Sequence, residues 1–194
     1  DFECPAEVKE ALKKRVEHGI LGYSYPGDRL TELIKERMKR KYGWSIEREW
    51  IVFTPGVVPA MSVAIRTLTH PGDEVILQSP VYYPFFSVID NSGCHVIENE
   101  LVLDNGSYRM DTDALGRCFE PRTGITPIER RIRAMLLCSP HNPGGRVWRR
   151  DELEEAGNVV TGNGAFVVSD EIHCDIILKG RHIPFSSLPE FEQK

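Results

Sequence analysis

Apolar residues recur at helical spacing twice near the start of the chain: Val8, Ala11, Leu12 and Val16 up to Gly19, then Leu30, Leu33, Ile34 and Met38 up to Gly43. Such spacing lays one apolar stripe along a helix, and a glycine just past the last turn ends it. Short β-rich runs follow at 51–53, 75–77, 95–97, 134–138 and 165–169. They are apolar without alternation, as strands buried on both faces are, and helical or turn-rich stretches separate them. Strands interleaved with helices predict an α/β fold with right-handed crossovers and a mostly parallel sheet. The stretch 104–131, rich in charges and turn residues, reads as a surface excursion with one short helix starting near Asp111 or Asp113. No internal repeat or low-complexity linker interrupts the pattern.

Composition and charge then narrow the function classes. With 194 residues and 41% hydrophobic content, the chain is long and apolar enough for a sizeable core in one domain. Its net charge of -5, with Lys and Arg scattered, offers no basic stripe for a phosphate backbone, so no nucleic-acid partner is expected. No run reaches the uncharged length that spans a bilayer, and the opening DFECPAEVKE is acidic where a signal peptide would be basic and then apolar. No membrane partner is expected. Cys4, Cys94, Cys118, Cys138 and Cys174 form neither a CxxC pair nor a zinc-ligand spacing. They read as free thiols in a reducing cytoplasm, with no metal site. The missing initiator Met leads us to expect that the chain begins inside a longer one.

Four loops at predicted strand ends carry candidate chemistry, and such ends are where open parallel sheets keep ligands. After 51–53, TPGVVP is either a plain strand-to-helix connection or a helix N-terminus whose free amides would take an anion. After 75–77, SPVYYPFF crowds Tyr82, Tyr83, Phe85 and Phe86 together, either as core or with one ring free to stack on a planar ligand. After 134–138, SPHNPGGRVW sets His141 and Asn142 between Pro140 and Pro143, which stiffen the loop and keep their preceding residues out of helix. After 165–169, SDEIHCDI places Asp170, Glu171, His173 and Asp175 together, either complementing a helix dipole or serving a site.

Taken in this order, SPHNPGGRVW and SDEIH, supported by TPGVV and SPVYYPF, resemble the fold-type-I pyridoxal-phosphate-dependent aminotransferase family over essentially the whole chain. The details look most like the MalY/PatB-type cystathionine β-lyase branch, which performs carbon–sulfur β-elimination. The resemblance implies a three-layer α/β/α large domain around a mostly parallel sheet, with N-terminal helices in 1–45 and a sheet-forming core in 46–194. It implies pyridoxal 5'-phosphate as cofactor, an amino-acid substrate and a homodimer when full length. By that resemblance Asp170 pairs with the pyridine nitrogen, Asn142 bonds the 3'-oxygen, and Tyr82 stacks on the ring and serves in catalysis. The backbone of Gly56, Val57 and Val58 holds the phosphate, and Tyr23 reaches the phosphate of a neighbouring subunit. His173 stands where many aminotransferases have a tyrosine contacting the 3'-oxygen, a departure that favours the lyase branch.

A larger departure concerns the lysine that would carry the cofactor as a Schiff base. The family places it in Ser-x-x-Lys beyond the SDEIH strand, whereas only Lys179 and Lys194 follow Asp170 and neither has that context. The family's C-terminal small domain is also missing. The expectation is a large domain cut at both ends, inactive alone, from a lyase that cleaves cystathionine or related cysteine thioethers to pyruvate, ammonia and a thiol. The alternatives are a class I/II aminotransferase, a non-catalytic remnant, or the effector domain of a transcription regulator.

Overall fold

A computed structural model describes residues 2–121 and 131–191. The chain divides into two compact units, Asp1–Phe53 and Thr54–Lys194. In the first, α1 (Ala6–His18) and α2 (Asp28–Tyr42) stop where the periodicity ends, at Gly19 and Gly43. Both glycines adopt positive φ, 74° and 73°, and turn their N–H groups back onto last-turn carbonyls. Nothing on α1 is buried, so the stripe of Val8, Leu12 and Val16 is solvent-facing. A 3-10 turn at Arg48–Trp50 follows, with Arg48 Nη2 2.6 Å from Asp28 Oδ1.

The strand expected at 51–53 does not form. These residues are coil, with Val52 79% and Phe53 44% exposed. A three-residue run needs a neighbouring strand to hold it, and among the described residues none pairs with it.

The second unit alternates as expected. Helix α3 (Val57–Leu68) leads to β1 (Glu74–Leu77), α4 (Pro84–Asn91) and β2 (His95–Glu98). After a hairpin come α5 (Thr112–Cys118), β5 (Ile132–Cys138), α6 (Arg150–Gly162) and β6 (Phe166–Asp170). The four strands β2-β1-β5-β6 form one parallel sheet in that order.

Successive side chains of β1 and β5 point to opposite faces, which explains the unbroken apolar runs. Val75, Leu77, Ala134, Leu136 and Cys138 pack with Met61 and Ile65 of α3 and with Phe85, Val88 and Ile89 of α4. Ile76, Met135 and Leu137 pack with Leu115 of α5, with Leu153 and Val160 of α6, and with Trp148, Phe185 and Phe191. The result is the three-layer α/β/α architecture.

The excursion at 104–131 is more ordered than its charge suggests. Strands β3 (Val102–Asp104) and β4 (Ser107–Arg109) form an antiparallel hairpin around Asn105 and Gly106, both at positive φ (48° and 78°). Asn-Gly is the favoured dipeptide for such a two-residue turn, a signal the reading of the stretch as a loop overlooked. Helix α5 starts where expected: the Asp111 side chain accepts from Ala114 N at 2.9 Å. Residues 122–130 of that stretch, and Lys194, lie outside the described residues. Among the described residues no helix is long and apolar enough to cross a membrane.

Candidate functional site

Parallel register brings the strand ends to one edge: Leu77 lies opposite Leu136, and Cys138 opposite Asp170. The loops leaving β1 and β5 are stitched together there, Tyr82 N donating to Asn142 O at 3.0 Å, while Ser139 N donates to Asp170 O at 2.9 Å. A cavity of about 410 Å³ opens at this edge. Val57, Val58, Tyr82, Asn142, Asp170 and His173 all line it. Gly56 is the residue immediately before α3. Tyr23 belongs to the first unit, where its side chain is fully exposed. Lys179 is exposed on a bend and borders an adjoining cavity of about 460 Å³, which also touches Asn142 and His173.

Asp170 is the charged group at the floor. It is 7% exposed, and its Oδ1 accepts from Ile172 N at 3.1 Å. Burial raises its pKa above the usual carboxylate range; the Ile172 N–H and the neighbouring His173 oppose that shift, and Glu171 adds to it. A desolvated carboxylate of this kind is stabilised by a cationic N–H partner in the cavity. Glu171 points elsewhere, accepting from Ser169 Oγ (2.9 Å) and Phe185 N (2.7 Å) and lying 2.9 Å from His182 Nε2. Of the acidic pair in SDEIH, one carboxylate faces the cavity and the other anchors the chain at 182–185.

Where α3 borders the cavity, no side chain caps the helix, and Ala60 N already bonds Gly56 O at 3.1 Å. The amides of Val57 and Val58 precede the first intrahelical bond, and Pro59 has none to offer, so an anion at this helix end would meet two free donors and the positive end of the dipole. Tyr82, 37% exposed, presents a partly open ring to the cavity. The edge therefore suits a flat molecule with a cationic ring N–H, a polar substituent within reach of an amide side chain, and an anionic tail.

Two lining residues were missed in the sequence, Cys138 and Ile172. Burial pushes the Cys138 thiol up to about 11, so it is neutral at pH 7. Its sulfur accepts from Asn142 N at 3.3 Å and sits 3.5 Å from Pro140 O. The purpose of GGRVW was also missed. Gly144 is required because a Cβ there would stand 2.7 Å from His141 Nδ1 and 2.8 Å from the Tyr108 ring. Trp148 Nε1 donates to Cys138 O at 2.8 Å, and the Arg146 guanidinium lies 4.9 Å over the Trp148 ring. His141 is 3% exposed and meets Trp148 edge-on at 5.6 Å. Burial lowers its pKa to about 4, with Arg146 adding to the effect against the Gln78 and Pro80 carbonyls, so it is neutral at pH 7.

Comparison with known proteins agrees with this architecture. The family model for aminotransferase class I and II matches residues 1–190. Cystathionine beta-lyase PatB of Bacillus subtilis (strain 168) is 39% identical over 191 residues, covering 98% of this chain and 47% of that protein. Arginine–pyruvate transaminase AruH of Pseudomonas aeruginosa is 30% identical over 191 residues, covering 97% of this chain and 46% of that protein. The crystal structure of cystalysin from Treponema denticola, which contains a pyridoxal 5'-phosphate cofactor, superimposes with a TM-score of 0.87 at 40% identity, covering 97% of this chain and 46% of that one. The chain thus spans about half the length of the relatives it matches.

Proposed function

Because the chain belongs to the aminotransferase class I and II family, we propose that the whole protein is a pyridoxal-phosphate-dependent carbon–sulfur β-lyase. Its substrate is cystathionine or a related cysteine thioether, and its products are pyruvate, ammonia and a thiol. The observation that carries this reading is the convergence of Asp170, Asn142, Tyr82 and the uncapped start of α3 on one cavity. When bound, the cofactor supplies a protonated, electron-withdrawing ring that acidifies the substrate α-proton. In this reading Asp170 holds the proton at the ring nitrogen, and the Asn142 amide donates to the 3'-oxygen. Tyr82 packs on the ring and orients the bound molecule, and the backbone of Gly56, Val57 and Val58 takes the phosphate. His173, in contact with the same cavity, borders the 3'-oxygen side.

The lyase reading is supported by the match to cystathionine beta-lyase PatB, and the cofactor by the similarity to cystalysin, whose structure contains pyridoxal 5'-phosphate. A second reading, an aminotransferase, is favoured by the match to AruH. The protein would act as a cytoplasmic homodimer, with Tyr23 of each subunit serving the neighbouring phosphate.

Mapping the covalent attachment point tests where the cofactor-bearing lysine lies. The whole protein is loaded with pyridoxal phosphate, reduced with borohydride and digested for peptide mapping. We expect one label per chain on a lysine outside 1–194, in a Ser-x-x-Lys context. Stoichiometric labelling of Lys179 or Lys194 would overturn the assignment.

A further inference from the structure

We propose that Glu152 is a positioning residue for Asn142, acting through the Arg146 side chain; the inference rests on the reading of Asn142 as a cofactor contact. Asn142 sits on a tight turn whose base is made by His141 and Arg146: His141 N donates to Arg146 O at 2.8 Å, and Gly145 N donates to His141 O at 2.8 Å. Where Arg146 sits, the turn sits. Arg146 is held by its side chain, Nη2 lying 2.6 Å from Glu152 Oε1 and 2.7 Å from Oε2, while its guanidinium covers Trp148.

Glu152 is itself fixed. It lies in the first turn of α6, is 9% exposed, and accepts from Arg149 N at 2.8 Å. Helix α6 packs on the sheet face through Leu153, Ala156 and Val160, so Glu152 transmits the position of a rigid element. A chain of short polar contacts therefore runs from α6 through Arg146 to the turn that presents Asn142 to the cavity. Capping α6 needs the Glu152 bond to Arg149 N, not the pair with Arg146. Desolvating two charges offsets much of their attraction, so the ion pair contributes less to stability than to a fixed geometry.

The test uses the whole protein and pyridoxal phosphate as the probe. Dissociation constants are measured for wild type, Glu152→Gln, Asn142→Ala and the double variant, together with the pH midpoint of the bound cofactor's absorbance and each cofactor-free melting temperature. Glu152→Gln is expected to weaken binding about tenfold in the wild-type background and to move the midpoint in the same direction as Asn142→Ala. In the Asn142→Ala background it should change binding by less than about twofold, since coupled residues are not additive. Equal effects in both backgrounds, or a lowered melting temperature with unchanged binding and midpoint, would overturn the proposal. If Glu152→Gln does not fold, Arg146→Gln, which removes the positive charge that Nη2 presents to both Glu152 oxygens, gives the same comparison. Failure of both to fold would also overturn it, because the pair would then serve the fold rather than Asn142. Absence of binding to wild type, or an Asn142→Ala variant that binds normally, would instead refute the reading of the site.

Discussion

Replacing Asp170 by asparagine is expected to lower turnover of the whole protein by ~100-fold to 1000-fold, the scale on which one well-placed electrostatic partner acts, while leaving the fold intact. Asparagine is the same size and can still accept from Ile172 N, but it cannot stabilise a positive ring nitrogen. The cofactor-free protein should respond in the opposite sense. Burial raises the folded-state pKa of Asp170 above its ordinary value, so the folded state binds a proton more tightly than the unfolded chain. The associated stability is present below the unfolded pKa and is lost as pH rises through the folded one. Wherever the folded carboxylate is ionised it therefore opposes folding, and there Asp170→Asn should melt no lower than wild type. Near wild-type turnover in a folded Asp170→Asn protein would remove Asp170 from the chemistry. A clear drop in the cofactor-free melting temperature would show that the carboxylate is structural.

The second large effect is a loss of stability on acidification traceable to His141. Its pKa falls from 6.5 to about 4 in the folded protein, so the unfolded chain takes up the proton first as pH drops. Stability is full above 6.5 and declines as pH falls toward 4. That difference in pKa corresponds to about 3 kcal/mol, of which ~2 kcal/mol is lost by pH 5. Carboxylates titrate in the same range, so the His141 part is the difference in pH slope between wild type and His141→Gln in urea unfolding from pH 7 to 4.5. The wild type should have the steeper slope. Parallel slopes would mean that His141 is not held neutral in the fold. Because Asn142 follows His141 directly, cofactor binding by the folded protein should weaken only as pH approaches the folded-state value of about 4.

Much of this was legible in the sequence because the chemistry sits on short local signals. Asp170, Asn142 and Tyr82 each lie at or just beyond the end of an apolar run that pairs into the sheet, and the parallel register then brings them together. The helix stops at Gly19 and Gly43 were legible for the same local reason. The strand at 51–53 failed because an apolar triplet carries no information about whether a neighbour exists to pair with it. The hairpin at Asn105–Gly106 was obscured by the surrounding charge, although its turn dipeptide was in plain sight. Cys138 and Glu152 were invisible as parts of the site, one looking like core and the other like ordinary helix N-terminal charge. Only the three-dimensional path from α6 through Arg146 connects Glu152 to the cavity.

One assay separates a lyase from an aminotransferase. Both reactions begin with loss of the α-proton. A lyase then expels a thiolate from the β-carbon, whereas an aminotransferase passes the amino group to a keto acid. The whole protein, given L-cystathionine with no keto acid, is expected to release pyruvate, ammonia and free thiol in equal amounts, and added 2-oxoglutarate should leave that rate unchanged. Amino-group transfer that depends strictly on 2-oxoglutarate, with no thiol released, would rule out the lyase and make the protein an aminotransferase.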